Sequence, residues 1–176
     1  MIDYQNIIEN IVRVDKISGL YSAEYLYGKG KEIIDKYTTS TVAMFKIMNI
    51  EEINDKYSRK TGNEIISMIS EIVKENIASQ YIFVRYMGPK FVIVFSGIDI
   101  QGVADFVEEL KEIVEEKFVR YEIKKANVKN KFIKVKPKLN FVISTYYKGT
   151  ALDNVTKRLE EYLDTADKNE SDINNI

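Results

Sequence analysis

The stretch VRYMGPKFVIVF, residues 84–95, limits the folds that this chain can adopt. It holds two runs of apolar, β-branched and aromatic residues on either side of Gly88-Pro89, a pattern that predicts two strands joined by a tight turn. By the same criteria, strands are predicted at Thr41–Met48, Tyr81–Met87, Lys90–Ser96 and about Lys134–Thr145. Because Pro137 has no backbone N–H to donate, the early part of the last strand is expected at a sheet edge.

Segments with helical periodicity alternate with these strands. An amphipathic helix is predicted at the start of the chain, a second from a Ser22 cap to about Tyr37, and a third near Ile50–Tyr57. Gly28 and Gly30 should weaken the second helix. Longer apolar faces follow around residues 65–73, 103–114 and 152–166. Helices interleaved with a hairpin-containing sheet predict one α/β domain.

The absence of two residue types narrows the possible chemistry. The chain has 176 residues with no Cys and no His, which excludes disulfides, the usual zinc sites, Cys nucleophiles and His-based acid–base catalysis. Any metal would have to be a hard cation held by carboxylates and carbonyls, and no cofactor is expected. No apolar run approaches a membrane-spanning length and the N-terminus has no signal pattern, so a cytoplasmic, membrane-free protein is expected.

Basic residues concentrate in one strip, residues 119–138, although the formal net charge of the whole chain is −1. The strip holds a single acid, Glu122, and eight basic residues: Arg120, Lys124, Lys125, Lys129, Lys131, Lys134, Lys136 and Lys138. Such a strip on an acidic body suggests an anionic partner, and we predict an acidic surface rather than nucleic acid. The alternative is a solvated hairpin whose lysines protect an exposed sheet edge.

Three sequence blocks, in order along the chain, resemble the motifs of one family. DKISGLYSAEYL (Asp15–Leu26) is similar to D-x-L-T-G-L-x-N-R, and FKIMNIEEINDKYSRKTGNEII (Phe45–Ile66) to D-x-D-x-F-K-x-I-N-D-x-x-G-H-x-x-G-D-x-x-L. VRYMGPKF (Val84–Phe91) falls where the same family has its R-Y-G-G-[DE]-E-F hairpin. The family is that of the GGDEF domains, the diguanylate cyclases, and the resemblance spans about residues 10–168.

The resemblance implies a fold and a set of boundaries. The expected fold is a single GGDEF-like domain of the nucleotidyl-cyclase, or palm, type. Its mixed, mostly antiparallel central sheet would have about five strands and be surrounded by helices. The expected boundaries are a lead-in helix at residues 1–14, the domain at 15–168 and a flexible polar tail at 169–176.

The resemblance also locates the family's metal site. There, a strand end and the hairpin tip supply carboxylates that hold two Mg²⁺ ions on GTP, and two facing domains make cyclic di-GMP. At the matching positions this chain has Lys46, Met48, Pro89 and Lys90. Because ammonium groups repel cations, the resemblance implies a degenerate site with no metal, no catalytic residues and no enzymatic activity.

The family's base pocket is partly kept. Leu20 and Asn54 match positions that contact guanine, Gly62 matches the glycine beside it, and Asn63 replaces the Asp that reads guanine. An amide offers one acceptor and one donor, so the preference for guanine should be relaxed. The alternative is that Asn54 and Asn63 only cap or link helices.

Two further family sites are missing. Ala78 and Tyr81 stand where the inhibitory R-x-x-D motif has its Arg and Asp, so no cyclic di-GMP binding is expected there. The C-terminal Lys that touches the terminal phosphate falls near Asp167, although a one-residue slip would offer Lys168.

The expected function is that of a non-catalytic GGDEF-like domain in cyclic di-GMP signalling, acting as a regulatory or interaction module through a protein partner or a homodimer. One alternative is a metal-independent receptor for GTP or another nucleotide, with Lys46 and Lys90 near the phosphates. The other is nucleic-acid binding through residues 119–138, which is disfavoured because the strip has no obvious stacking pair of aromatic side chains on one strand.

Overall fold

The computed structural model describes residues 14–124, 131–166 and 173–176. The strands of these residues are β1 (Tyr21–Ser22), β2 (Thr39–Ile47), β3 (Ile82–Met87), β4 (Lys90–Ser96), β5 (Val119–Glu122), β6 (Phe132–Val135), β7 (Leu139–Tyr147) and β8 (Ile173–Asn175). Six of them form a central sheet in the order β1-β3-β4-β2-β7-β8, and a separate two-stranded sheet pairs β5 with β6. The four long central strands are antiparallel, and β1 and β8 add short parallel edges. The predicted mixed, mostly antiparallel sheet is confirmed, with six strands instead of about five.

Five helical segments cover the sheet. Their bounds are α1 in three consecutive pieces (Ala23–Tyr25, Leu26–Gly30 and Lys31–Ile34), α2 (Ile50–Lys56), α3 (Arg59–Asn76), α4 (Ile100–Glu115) and α5 (Leu152–Thr165). The middle piece of α1 is a π-helix that contains both glycines of that segment. Ser22 precedes α1 as predicted but makes no side-chain cap, and its Oγ is buried without a hydrogen-bond partner in the described structure.

Alternating residues of the central strands fill two hydrophobic cores. The first core lies between the sheet and α2, α3 and α4, with a stack of aromatic rings around Phe45 at its centre. The second core lies between the opposite face and α1 and α5, and contains Met44 and Val92. Neighbouring positions in a strand therefore face different helices, which decides where each candidate side chain lies.

The predicted strand Lys134–Thr145 is wrong, because the chain breaks at Pro137. β6 ends at Val135 in the small sheet, and β7 begins at Leu139 in the central sheet. Asn49, which lies outside this segment, forms hydrogen bonds on both sides of Pro137. Its Nδ2 donates to the Lys136 carbonyl at 3.0 Å, and its Oδ1 accepts from the Lys138 N–H at 2.8 Å. The alternating apolar pattern continues across the break, so periodicity alone joins the two strands.

The two ends of the chain are only partly described. The predicted lead-in helix at residues 1–14 lies outside the described residues, apart from Val14. A polar tail is predicted at residues 169–176, whereas the structure places Ile173–Asn175 beside β7 as a parallel strand. Among the described residues, no helix combines the length and apolar character needed to cross a membrane.

Candidate functional site

Lys46 and Lys90 lie side by side at one end of the central sheet. β2 and β4 are antiparallel, and their register pairs Lys46 with Lys90. Each lysine is two residues from a member of the second core, Met44 or Val92, so both side chains leave the sheet on the face that α5 covers. Their side chains are 23% and 9% exposed, which places two cations in a largely enclosed position.

Two carboxylates of α5 meet these lysines. Asp164 accepts a hydrogen bond from Lys46 Nζ through Oδ1 at 3.1 Å, and one from Lys90 Nζ through Oδ2 at 2.8 Å. Glu160 Oε1 accepts a further hydrogen bond from Lys90 Nζ at 2.8 Å. The two acids are four residues apart on one helix, so they share a face and bracket Lys90. We call Lys46, Lys90, Glu160 and Asp164 the charge cluster.

The pairing shifts the pKa values of two cluster members in opposite directions. Burial alone would lower the pKa of Lys90, but hydrogen bonds to Asp164 and Glu160 raise it above the usual 10.5. Burial alone would raise the pKa of Asp164, but hydrogen bonds from Lys90 and Lys46 hold it below the usual 3.8. Both groups are therefore charged at neutral pH, so the 2.8 Å hydrogen bond between them joins an ammonium group to a carboxylate.

The charge cluster does not fit the two Mg²⁺ ions that the family resemblance implies. A two-metal site needs several carboxylates without competing cations, whereas here each carboxylate already accepts from an ammonium group. Met48 and Pro89, at the other two substituted positions, are not acids either. Met48 is buried and apolar, and the Pro89 carbonyl already accepts a hydrogen bond from the Ile47 N–H. Within the described parts of the chain, no group of three or more Asp, Glu, His or Cys residues is placed to hold a metal ion.

The candidate base-contacting residues lie with the other core. Leu20 is 3% exposed and belongs to the first core, as do the apolar faces of α2 and α3. Asn54 lies inside α2, and a Cβ added to Gly62 would come within 1.9 Å of its Oδ1, so the two helices make close contact there. Asn54 Oδ1 is buried without a hydrogen-bond partner in the described structure. Neither Asn54 nor Asn63 caps a helix; Ser58 caps α3 by accepting from the Thr61 N–H.

Ala78 and Tyr81 lie in the turn between α3 and β3. Tyr81 donates its backbone N–H to the Ala78 carbonyl, and its ring packs edge-on against Phe95. Both residues line an open cleft of about 560 Å³ together with Lys74 and the stacked pair Tyr21 and Tyr25. Among the described residues that line this cleft none is acidic, so none of them is a counterpart of the acid of the inhibitory motif.

Arg85 connects two parts of the chain that are distant in sequence. Its Nη1 donates to Asp15 Oδ2 at 2.9 Å, and its Nε donates to the Gly88 carbonyl at 3.0 Å. The same Asp15 oxygen accepts from the backbone N–H and the hydroxyl of Ser18. Arg85 therefore ties the β3–β4 turn to the segment that opens the described chain.

Sequence reasoning missed Glu160 and Asp164. Their spacing of four residues is a local signal that both acids share one helix face. The local sequence does not indicate that this helix face contacts two lysines. The lysine–acid pairs are separated by 70, 74 and 118 positions in the sequence.

Comparison with known proteins gives concordant results for family and fold. The family model described as diguanylate cyclase, GGDEF domain, matches residues 12–172. Diguanylate cyclase A of Treponema denticola is 27% identical over 94 residues, which cover 53% of this chain and 25% of that protein. The chain thus spans about a quarter of that relative.

Two solved structures have the same fold. The coiled coil and GGDEF domain of DgcB from Caulobacter crescentus, in complex with c-di-GMP, matches with a TM-score of 0.79 at 17% identity, over 99% of this chain and 91% of that one. Diguanylate cyclase SiaD from Pseudomonas aeruginosa, in complex with its activator SiaC, matches with a TM-score of 0.76 at 15% identity, over 98% of this chain and 64% of that one. With the family match and the central sheet described above, this chain belongs to the GGDEF domain family.

Proposed function

We propose that this chain is a non-catalytic GGDEF domain that acts as a regulatory or protein-interaction module in cyclic di-GMP signalling. The observation that carries the proposal is the charge cluster. Lys46 and Lys90 stand at the positions that match the family's metal-binding acids, and both are held in place by Asp164.

The cluster opposes metal binding in two ways. Its formal charges cancel, so it offers a dication no net attraction, whereas a site made of carboxylates alone would attract it strongly. A metal that recruited Asp164 or Glu160 would also leave Lys90, whose side chain is 9% exposed, without its counter-charges. Breaking these ion pairs is unfavourable, although the exposure of the two acids, 22% and 45%, makes the cost smaller than for a fully buried pair. Metal-assisted attack on the α-phosphate of GTP therefore has no support from these residues.

A structural neighbour supports a role in protein contacts. Diguanylate cyclase SiaD was solved in complex with its activator SiaC, so a protein with this fold can bind a protein partner. A domain that keeps the fold without the metal-binding acids could still make such contacts, because they depend on its surface.

A product assay tests the loss of activity. The purified chain is incubated with GTP and Mg²⁺ or Mn²⁺, and cyclic di-GMP is measured by chromatography beside diguanylate cyclase A of Treponema denticola as the positive control. We expect no product above a protein-free blank. Product that Asn54→Ala abolishes would contradict the proposal, since that variant removes the candidate guanine contact and leaves the charge cluster intact.

One observation favours a second candidate function, a nucleotide receptor that needs no metal. The unpartnered Oδ1 of Asn54 is a buried acceptor that a donor on a bound base could satisfy. Against it, Lys46 and Lys90 already hold carboxylates, so triphosphate oxygens would have to displace Asp164 or Glu160. Calorimetric titration with GTP in EDTA tests this function, and binding that survives Asn54→Ala unchanged would contradict it.

A further inference from the structure

The hairpin of β5 and β6 has one face packed on the protein and one face exposed. Val119 and Tyr121 pack on the first core, and Val135 belongs to it. Because side chains alternate along a strand, Arg120 and Lys134 point the other way, and both are exposed.

On this outer face, each cation lies over an aromatic ring. The Arg120 guanidinium carbon is 4.5 Å from the centroid of the Phe132 ring, and Lys134 Nζ is 4.6 Å from that of Phe118. Such contacts orient the cations and cover the rings. A single-stranded nucleic acid needs free ring faces on which to stack its bases, so this arrangement disfavours it. A guanidinium over a ring can still donate its N–H groups to a carboxylate.

The two cations also face each other. The register of β5 and β6 pairs Arg120 directly with Lys134, and like charges in directly opposed positions destabilise a strand pair. Within the described residues, neither has a carboxylate within ion-pair distance. A carboxylate from outside that bridged both would remove this repulsion.

The same chain carries a complementary surface on α4. Its exposed side chains include four acids: Asp105, Glu108, Glu109 and Glu112. The one basic residue of the helix, Lys111, is 9% exposed. The opposite side of α4 packs on the first core, as β5 and β6 do, so the acidic and basic surfaces both face away from that core. The two elements are consecutive in the chain, since α4 ends at Glu115 and β5 begins at Val119.

We infer that the outer face of the β5–β6 hairpin docks on the acidic face of α4 in a second copy of this chain. Two surfaces of opposite charge on one chain suit a two-fold pair, in which each copy supplies both the hairpin and the helix and the contact is made twice. The inference names a partner for the interaction role proposed above and rests on that role, but it does not depend on the loss of catalysis.

Sedimentation of the full chain tests the pairing. Ionic strengths of ~0.01 M and ~1 M give Debye lengths of about 30 Å and about 3 Å, so a charge-driven pair should form in the first and dissociate in the second. At low salt we expect an average mass above the 20.4 kDa of one chain. Arg120→Glu/Lys134→Glu and, separately, Glu108→Lys/Glu112→Lys should each weaken self-association at least tenfold.

Mixing these two variants provides the sharpest outcome. In the mixed pair, the reversed hairpin of one copy meets the reversed helix of the other, and the two unaltered surfaces also meet, so association should return. Arg59→Glu/Lys157→Glu is the matched control, because it makes the same charge change at an exposed Arg and Lys elsewhere and should leave association unchanged. Thermal unfolding of each variant checks that it folds.

Three results would overturn the inference: a wild-type chain that stays monomeric at low salt, equal loss of association in the control, or no recovery on mixing folded variants. An oligonucleotide that binds the monomeric wild-type chain, but not Arg120→Glu/Lys134→Glu, would assign the face to nucleic acid instead. None of these results bears on the cyclic di-GMP assay, so the two proposals fail separately.

Discussion

Lys46 and Lys90 lie directly opposite each other on antiparallel strands, and both donate hydrogen bonds to one carboxylate, Asp164. Two like charges in that register would repel each other without a shared counter-ion. The carboxylate comes from α5, so the charge cluster also attaches this helix to the end of the sheet.

Lys90→Met should destabilise the chain by about 1–3 kcal/mol, because it leaves Glu160 and Asp164 close together with only Lys46 to balance them. The value lies below that of a fully buried pair, since 22% and 45% of the two acidic side chains are exposed and water can solvate them. Urea denaturation measures the change. Lys157→Met, at an exposed position of α5, the helix that carries Glu160 and Asp164, is the control and should change stability by no more than about 0.5 kcal/mol. Equal stability of the two variants would contradict the stabilising role of the cluster.

Asp164→Asn should cost stability at neutral pH but not in acid. The folded chain holds the pKa of Asp164 below its usual 3.8, so its contribution is present above that value and is lost as the pH falls through the lower, folded pKa. Because the side chain is 45% exposed, we expect a loss of about 1 kcal/mol or less near pH 7. Denaturation of both proteins from neutral pH to about pH 3 checks this. A difference that stays constant over the range would contradict the ion-pair account.

Gly62→Ala should destabilise the chain by about 1–3 kcal/mol, although replacing a helical glycine by alanine normally stabilises. The added Cβ would lie 1.9 Å from Asn54 Oδ1 and 3.0 Å from its Cγ, so that side chain must move. In an Asn54→Ala background, the same substitution should be neutral or stabilising. Denaturation of the two single variants and the double variant measures the coupling, and a stabilising Gly62→Ala in the wild-type chain would show that this contact is not tight.

The fold could be predicted largely from local signals. Gly88-Pro89 between two apolar runs placed the β3–β4 hairpin to within one residue, and the apolar periodicity around Ile65 and Val107 located α3 and α4. The Lys134–Thr145 strand failed because the contact that breaks it comes from Asn49, almost ninety residues away. Local patterns carry no information about a contact at that separation.

The candidate site, like the fold, could be predicted from the sequence only in part. Motif resemblance identified Lys46 and Lys90, and the strand register then brought them together. Their counter-charges could not be predicted, since they depend on how α5 packs across the sheet. The partnerless Oδ1 of Asn54 likewise results from the packing of α2 on α3.

Mg²⁺ should not increase the affinity of the chain for a nucleoside triphosphate. The only charges that could hold phosphates in the charge cluster are Lys46 and Lys90, and chelation by Mg²⁺ neutralises the phosphates that these lysines would attract. Calorimetric titration of GTP and ATP, first in EDTA and then in excess Mg²⁺, should show affinity that is unchanged or reduced by the metal. The affinity should also fall with added salt, because ionic pairing is screened. Tighter binding with Mg²⁺ would contradict a lysine-held phosphate.

If the ammonium groups of the charge cluster exclude divalent metal, the wild-type chain should bind no Mn²⁺ in a titration followed by electron paramagnetic resonance. The signal of free Mn²⁺ falls when a protein binds the ion. We predict that the wild-type chain leaves the signal unchanged. The variant Lys46→Asp/Lys90→Glu adds two carboxylates to those of Glu160 and Asp164. The resulting group of four should bind Mn²⁺ and reduce the signal of the free ion. Equal uptake of Mn²⁺ by the wild-type chain and by this variant would show that the two lysines do not exclude the metal.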